Sequence, residues 1–270
     1  MRRMGWMVVV SLVSLVACGK SPAPERLAAM ARTEAVPKGD PVEGARVARR
    51  VGCDGCHAEG GKGGGLDITS PEGDRVVAPN LTDRRHLYDD PALASLLREG
   101  KTHDGHRPFG MPIQMLQHLS DREVRDVTAW LRGLPAVDSP GLAVSRITPG
   151  TLKQLSDGSH PYAKDDKPDA GNVAPRAPPA EPLALGRHIA MTSCTECHGW
   201  DLNGFEGDDA PSLVVAKAYT AEKFARLMKV GEIASGGKSK TGFMSEVAAY
   251  RFSVLTDAEV AAVKLYLDSR

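Results

Sequence analysis

The chain has 270 residues, enough for two ordinary domains. Lys and Arg number 34 and Asp and Glu number 34, so the formal net charge is zero and no basic surplus invites a nucleic acid partner. Aromatic residues make up only 5% while Gly and Pro reach 28 and 19, which favours small loop-rich domains and leaves room for a prosthetic group to supply apolar mass.

The N-terminus reads as a targeting segment. Arg2 and Arg3 precede the apolar run MGWMVVVSLVSLVA, too short for a membrane span and typical of a signal-peptide h-region. It closes on LVAC, Leu15 to Cys18, which has the form of a bacterial lipobox. The expectation is a signal peptide over 1–17 and a lipid on Cys18, which would anchor the exported chain on the periplasmic side of a bacterial membrane. Residues 18–39 then form a tether.

From Asp40 onwards the chain repeats itself. DPVEGARVARRVGC leads into Cys53, Cys56 and His57; EPLALGRHIAMTSC leads into Cys194, Cys197 and His198. Each lead opens with an acid and a Pro, suited to a helix start, and carries a glycine, Gly44 or Gly186, about two turns before the first cysteine. APNL (Ala78 to Leu81) answers APSL (Ala210 to Leu213). A middle helix follows in each half. Asp90 is expected to cap the first, with Leu93, Leu96 and Leu97 on one face and Gly100 as its stop; Thr220 caps the second, with Phe224, Leu227, Met228 and Gly231 in the matching places.

The final helices match best. LSDREVRDVTAWL and LTDAEVAAVKLYL both open with a capping box, Ser120 with Glu123 and Thr256 with Glu259. Val124, Val127 and Leu131 answer Val260, Val263 and Leu267 on an amphipathic face. Trp130 and Tyr266 correspond and are expected to pack on the first helix, where Gly44 and Gly186 permit close approach. The repeats span 40–136 and 181–270. The segment 137–180 is rich in Pro, Ala, Ser and Asp with little periodicity, and reads as a linker. The glycines of GGKGGG (residues 60–65) are a flexible loop and lack the framing elements of a phosphate cradle.

Five cysteines are present, and four of them lie in two C-x-x-C-H motifs. Structural zinc takes four ligands, and one motif offers three. A C-x-x-C disulfide suits an exported protein but gives little reason for a histidine after both pairs, and a thioredoxin-like site needs a βαβ setting. Haem c uses all three residues: the thiols add to the porphyrin vinyl groups and the histidine becomes the proximal ligand.

The second axial ligand decides between electron transfer and chemistry at an open iron. Met111, in FGMP, and Met244, in GFMS, occupy corresponding places after the middle helix and are expected in loops that can reach the opposite haem face. Met115 lacks a sulfur counterpart, Met228 corresponds to Leu97 and so to core packing, and Met191 lies in the helix leading into Cys194. His86, His103, His106 and His118 have no counterparts in the second half and default to the surface, with His103 and His106 as alternatives to Met111. The carbonyls of Pro79 and Pro211 could accept the Nδ1–H of His57 and His198.

GARVARRVGCDGCH, APNLT, MPIQMLQHLSDREVRDVTAWLRGLPAV, SCTECHGWDL and MSEVAAYRFSVLTDAEVAAVKLYL resemble class I cytochrome c domains, and are similar above all to the multi-haem cytochrome c subunits of membrane-bound alcohol and sugar dehydrogenases. The resemblance covers both repeats and not the linker. It implies an all-α architecture of two tandem cytochrome c domains joined by a Pro/Ala-rich linker. It also implies two covalent haems, with Met111 and Met244 as ligands and Pro79 and Pro211 behind the proximal histidines. The expected function is electron transfer between redox proteins, possible partners being a membrane dehydrogenase or oxidase. A dihaem peroxidase and a haem-based sensor are the alternatives.

Overall fold

The computed structural model describes residues 38–105, 107–160 and 172–270. The signal segment, Cys18, His106 and the middle of the linker lie outside the described residues.

Asp40 starts the first helix, α1 (Pro41–Arg50), its carboxylate accepting from the amides of Val42 and Glu43. Glu181 does the same for α8 (Pro182–Met191), accepting from Leu183 and Ala184. These acids satisfy amides that have no partner inside the helix and meet the positive end of its dipole. The chain then turns through α2 (Cys53–Cys56) in the first repeat and α9 (Thr195–His198) in the second.

After α2 comes a two-stranded antiparallel hairpin, β1 (Asp67–Thr69) with β2 (Arg75–Val77), in which Ile68 faces Val76. The first repeat continues with α3 (Leu81–Arg84), the middle helix α4 (Asp90–Glu99), the short α5 (Ile113–Leu116) and the final α6 (Asp121–Gly133). Asp89, one residue earlier than expected, caps α4: its backbone is extended and its carboxylate accepts from Ala92, which moves Asp90 into the first turn. Gly100 closes α4 in the left-handed region at φ 65°.

The second repeat follows α9 with a 3₁₀ turn (Leu213–Ala218), the middle helix α10 (Ala221–Val230), α11 (Phe243–Val247), a π-helical turn (Ala248–Phe252) and the final α12 (Asp257–Ser269). Ser120 and Thr256 both close complete capping boxes with Glu123 and Glu259. In each half the final helix crosses the first at the glycine. A Cβ on Gly44 would lie 1.9 Å from the Asp126 carbonyl oxygen and 2.9 Å from the Trp130 Cβ. On Gly186 it would lie 1.9 Å from the Ala262 oxygen and 3.0 Å from the Tyr266 Cβ. Only hydrogen fits at these crossings, so the backbones touch.

Each repeat has its own apolar core. Val47, Leu97, Ile113, Met115 and Val127 centre the first; Ile189, Leu213, Phe224, Met228 and Val263 centre the second. Met115 and Met228 are thus packing residues. Trp200 crosses the divide: it follows His198 in the second repeat yet packs against the core of the first.

The segment between the repeats carries more structure than its composition suggests. The amide of Val77 donates to Ser145 Oγ at 2.9 Å, and Arg75 and Arg146 form an antiparallel bridge that extends the hairpin edge. Thr148 caps a helix, α7 (Pro149–Asp157). Asp74 holds this helix by its end, accepting from the Thr148 amide and the Thr151 hydroxyl, each at 2.6 Å. Further on, the amides of Asp121 and Arg122 donate to the carbonyls of Pro175 and Arg176. This strap is held by backbone and short polar side chains, so it leaves no periodic apolar pattern in the sequence.

Candidate functional site

The first C-x-x-C-H motif begins where Gly52 takes a left-handed conformation at φ 86° and caps α2. The tight turn brings Cys53 and Cys56 to one side and closes with the His57 amide donating to the Cys53 carbonyl at 2.9 Å. Nδ1 of His57 lies 2.9 Å from the Pro79 carbonyl oxygen. A carbonyl only accepts, so Nδ1 carries the proton and Nε2 keeps its lone pair. In the second motif, Nδ1 of His198 lies 2.7 Å from the Pro211 carbonyl oxygen, which imposes the same tautomer. Burial lowers the pKa of both rings, only partly opposed by the carbonyl contact, and so favours the neutral form.

The four thiols are free of disulfides. Burial pushes Cys53 and Cys194 up to about 12 and Cys197 to about 11, and raises Cys56 as well. Protonated thiols are poor metal ligands and poor partners in disulfide exchange. Among the described residues, no group of three or more His, Cys, Asp and Glu side chains is arranged to hold a metal ion.

A cavity of about 560 Å³ opens inside the first repeat. Cys53, Cys56 and His57 line it together with Pro79, Met111 and Trp130. Its volume lies within the roughly 300–1,000 Å³ span of cofactor sites. It presents a lone-pair nitrogen, two thiols and a thioether among apolar side chains such as Leu93, Leu97 and Val127. That donor set fits a covalently held haem.

Met111 is half-buried in a loop against the first core. Met244 is half-buried against the second core, as is Cys194. Met244 is not in a loop, however: Gly242 turns at φ 78° and starts α11, which carries Met244 in its first turn. The run FMSEVAA holds no breaker after that glycine, so the helix propagates. Met191 is half-buried against the second core. His86 and His103 are exposed, His103 also reaching the cavity rim beside Tyr88, and His118 is half-buried.

Sequence reasoning missed the charged residues that join the two motifs. Arg251 is buried, and its Nε donates to the Arg50 carbonyl at 3.1 Å while Nη1 donates to Glu196 at 2.9 Å. Glu196 lies between Cys194 and Cys197, yet it lines the cavity of the first repeat. Arg50, also buried, donates to Ser193 at 2.8 Å and to Glu123 at 2.6 Å. One signal was available. Counting back from the caps Ser120 and Thr256, the same position holds Met115 in one repeat and Arg251 in the other.

The cytochrome c family model matches residues 41–135 and again 183–270. No curated protein matches the chain. The family carries covalently bound c-type haem and works in haem-based electron transfer, and the two matches give two such domains in tandem. Matched over both halves, the chain belongs to the cytochrome c family.

Proposed function

We propose that the protein is a dihaem c-type cytochrome that takes electrons from one redox protein and passes them to another. The observation that carries this reading is the paired arrangement of free thiols beside a histidine whose Nδ1 is tied to a proline carbonyl. Haem supplies a one-electron iron couple when bound. The chain's part is to hold and shield it. Cys53 with Cys56, and Cys194 with Cys197, would make the thioether links. Pro79 and Pro211 orient the rings of His57 and His198 and raise their basicity, leaving Nε2 as the donor toward iron. Met111 and Met244 would join the two histidines in holding the iron, and a Met/His pair would raise its reduction potential.

In this reading the chain is exported behind the 1–17 signal peptide and held at the membrane by lipid on Cys18. That position suits a membrane dehydrogenase as donor and an oxidase as acceptor. No general acid, base or nucleophile is required.

An optical redox titration of the purified holoprotein, with near-infrared detection, tests the reading. It should count two covalent haems, each with a sulfur-to-iron band when ferric. Met111→Ala and Met244→Ala should each remove one band. A variant that keeps both bands overturns that ligand assignment, and carbon monoxide binding to the reduced native protein would favour the peroxidase or sensor alternatives.

A further inference from the structure

We propose that Arg251 is a positioning residue for the electron-transfer reaction: a buried positive charge shared by both haem sites that raises both reduction potentials, with Glu196 as its opposing charge. The inference rests on the dihaem reading above.

The guanidinium is wedged between the two motifs. A Cβ on Gly52, the residue before Cys53, would lie 2.9 Å from Arg251 Cζ. On the other side Nη2 donates to the carbonyl of Ser193, the residue before Cys194, at 3.5 Å, and Nη1 reaches Glu196 inside the second motif. No more than a few residues separate Gly52, Ser193 and Glu196 from His57 and His198, the histidines expected to face the cofactors.

At the same offset from its cap the first repeat carries Met115, an uncharged side chain that is wholly buried. Replacing buried ion pairs by apolar side chains is often neutral or stabilising, so a guanidinium at this place is expensive for folding alone. Its electrostatic consequence is direct. One electron from the donor lowers the charge at either haem by one, and passing that electron to the acceptor restores it. A fixed positive charge in a medium of low dielectric favours the reduced state, and a negative one disfavours it.

The test is a spectroelectrochemical titration of the full-length holoprotein, with haem counted by pyridine haemochrome in every sample. Arg251→Gln should lower the ferrous-to-ferric ratio at a fixed ambient potential by about three- to tenfold at both haems. Arg251→Lys keeps the charge and should stay near the native ratio. Glu196→Gln keeps a hydrogen-bonding side chain beside Arg251 at a half-exposed position and should raise the ratio at both haems, a second and opposite reading of the same charge pair. A two-haem R251Q protein with unmoved midpoints, or with only one moved, overturns the proposal, as does an E196Q protein whose midpoints stay or fall. A native protein with fewer than two covalent haems sinks the dihaem reading instead.

Discussion

Glu123 of the first repeat and His188 of the second meet in the interior, with 2.8 Å between Oε2 and Nε2. The other carboxylate oxygen of Glu123 takes Nη2 of Arg50 at 2.6 Å, and Oε2 also accepts from the Ser120 amide. A single side chain thus caps α6, holds α1 beside it, and ties the first half to α8 of the second.

Loss of that carboxylate should be costly. Glu123→Gln leaves Arg50 buried without its counter-charge, and breaking a buried pair from one side costs about 3–5 kcal/mol. Burial by itself would raise the Glu123 pKa. The His188 hydrogen bond and the Arg50 charge outweigh it and bring the group down to about 2 from 4.5. The folded state is then the stronger acid. Its contribution, about 3 kcal/mol, is complete above pH 4.5 and is lost as pH falls toward 2. Denaturant melts at neutral pH and across that acid window should show the native protein weakening and the E123Q protein changing less.

The helix crossings should not tolerate a methyl group. Gly44→Ala drives a Cβ into the Asp126 carbonyl, and Gly186→Ala drives one into that of Ala262. Overpacking of this kind costs about 1–3 kcal/mol, and the neighbour here is backbone, which cannot rotate away. Each variant should melt several degrees lower by circular dichroism. An unchanged melting temperature would mean that the crossing is looser than the structure has it.

Asp74 should control the strap. The Thr148 amide and the Thr151 hydroxyl hold its carboxyl below the ordinary range. Asp74→Asn weakens both contacts, and the prediction is faster limited proteolysis across residues 145–157 with the rest of the chain still protected. Equal cleavage rates in native and variant proteins would contradict it.

The fold was legible where the signals are local. Capping boxes at Ser120 and Thr256, stop glycines at Gly100 and Gly231, and apolar spacing in α6 and α12 are properties of a few adjacent residues, and the structure has them all. The repeat also pointed to the carbonyls of Pro79 and Pro211, which lie against His57 and His198. Finer choices went astray where neighbours compete, as with Asp89 and Asp90, or where a loop could equally propagate as helix, as at Met244. The network of Arg50, Glu123, His188 and Arg251 was not legible at all. Its members lie far apart in sequence, and in a linear reading a charged residue on a helix belongs to solvent. The strap escaped notice for the opposite reason, because hydrogen bonds between backbone and hydroxyls require no particular apolar pattern.

The difference between Met115 and Arg251 has a consequence for the chain's ancestry. Two copies of the first half would set methionine where the guanidinium stands; two copies of the second would bury a pair of like charges. Arg251 Nε donates to a carbonyl from Arg50 in the other half, so a second repeat without the first leaves that donor without its acceptor. What reads as a duplication is a pair of unlike halves, each shaped to the other.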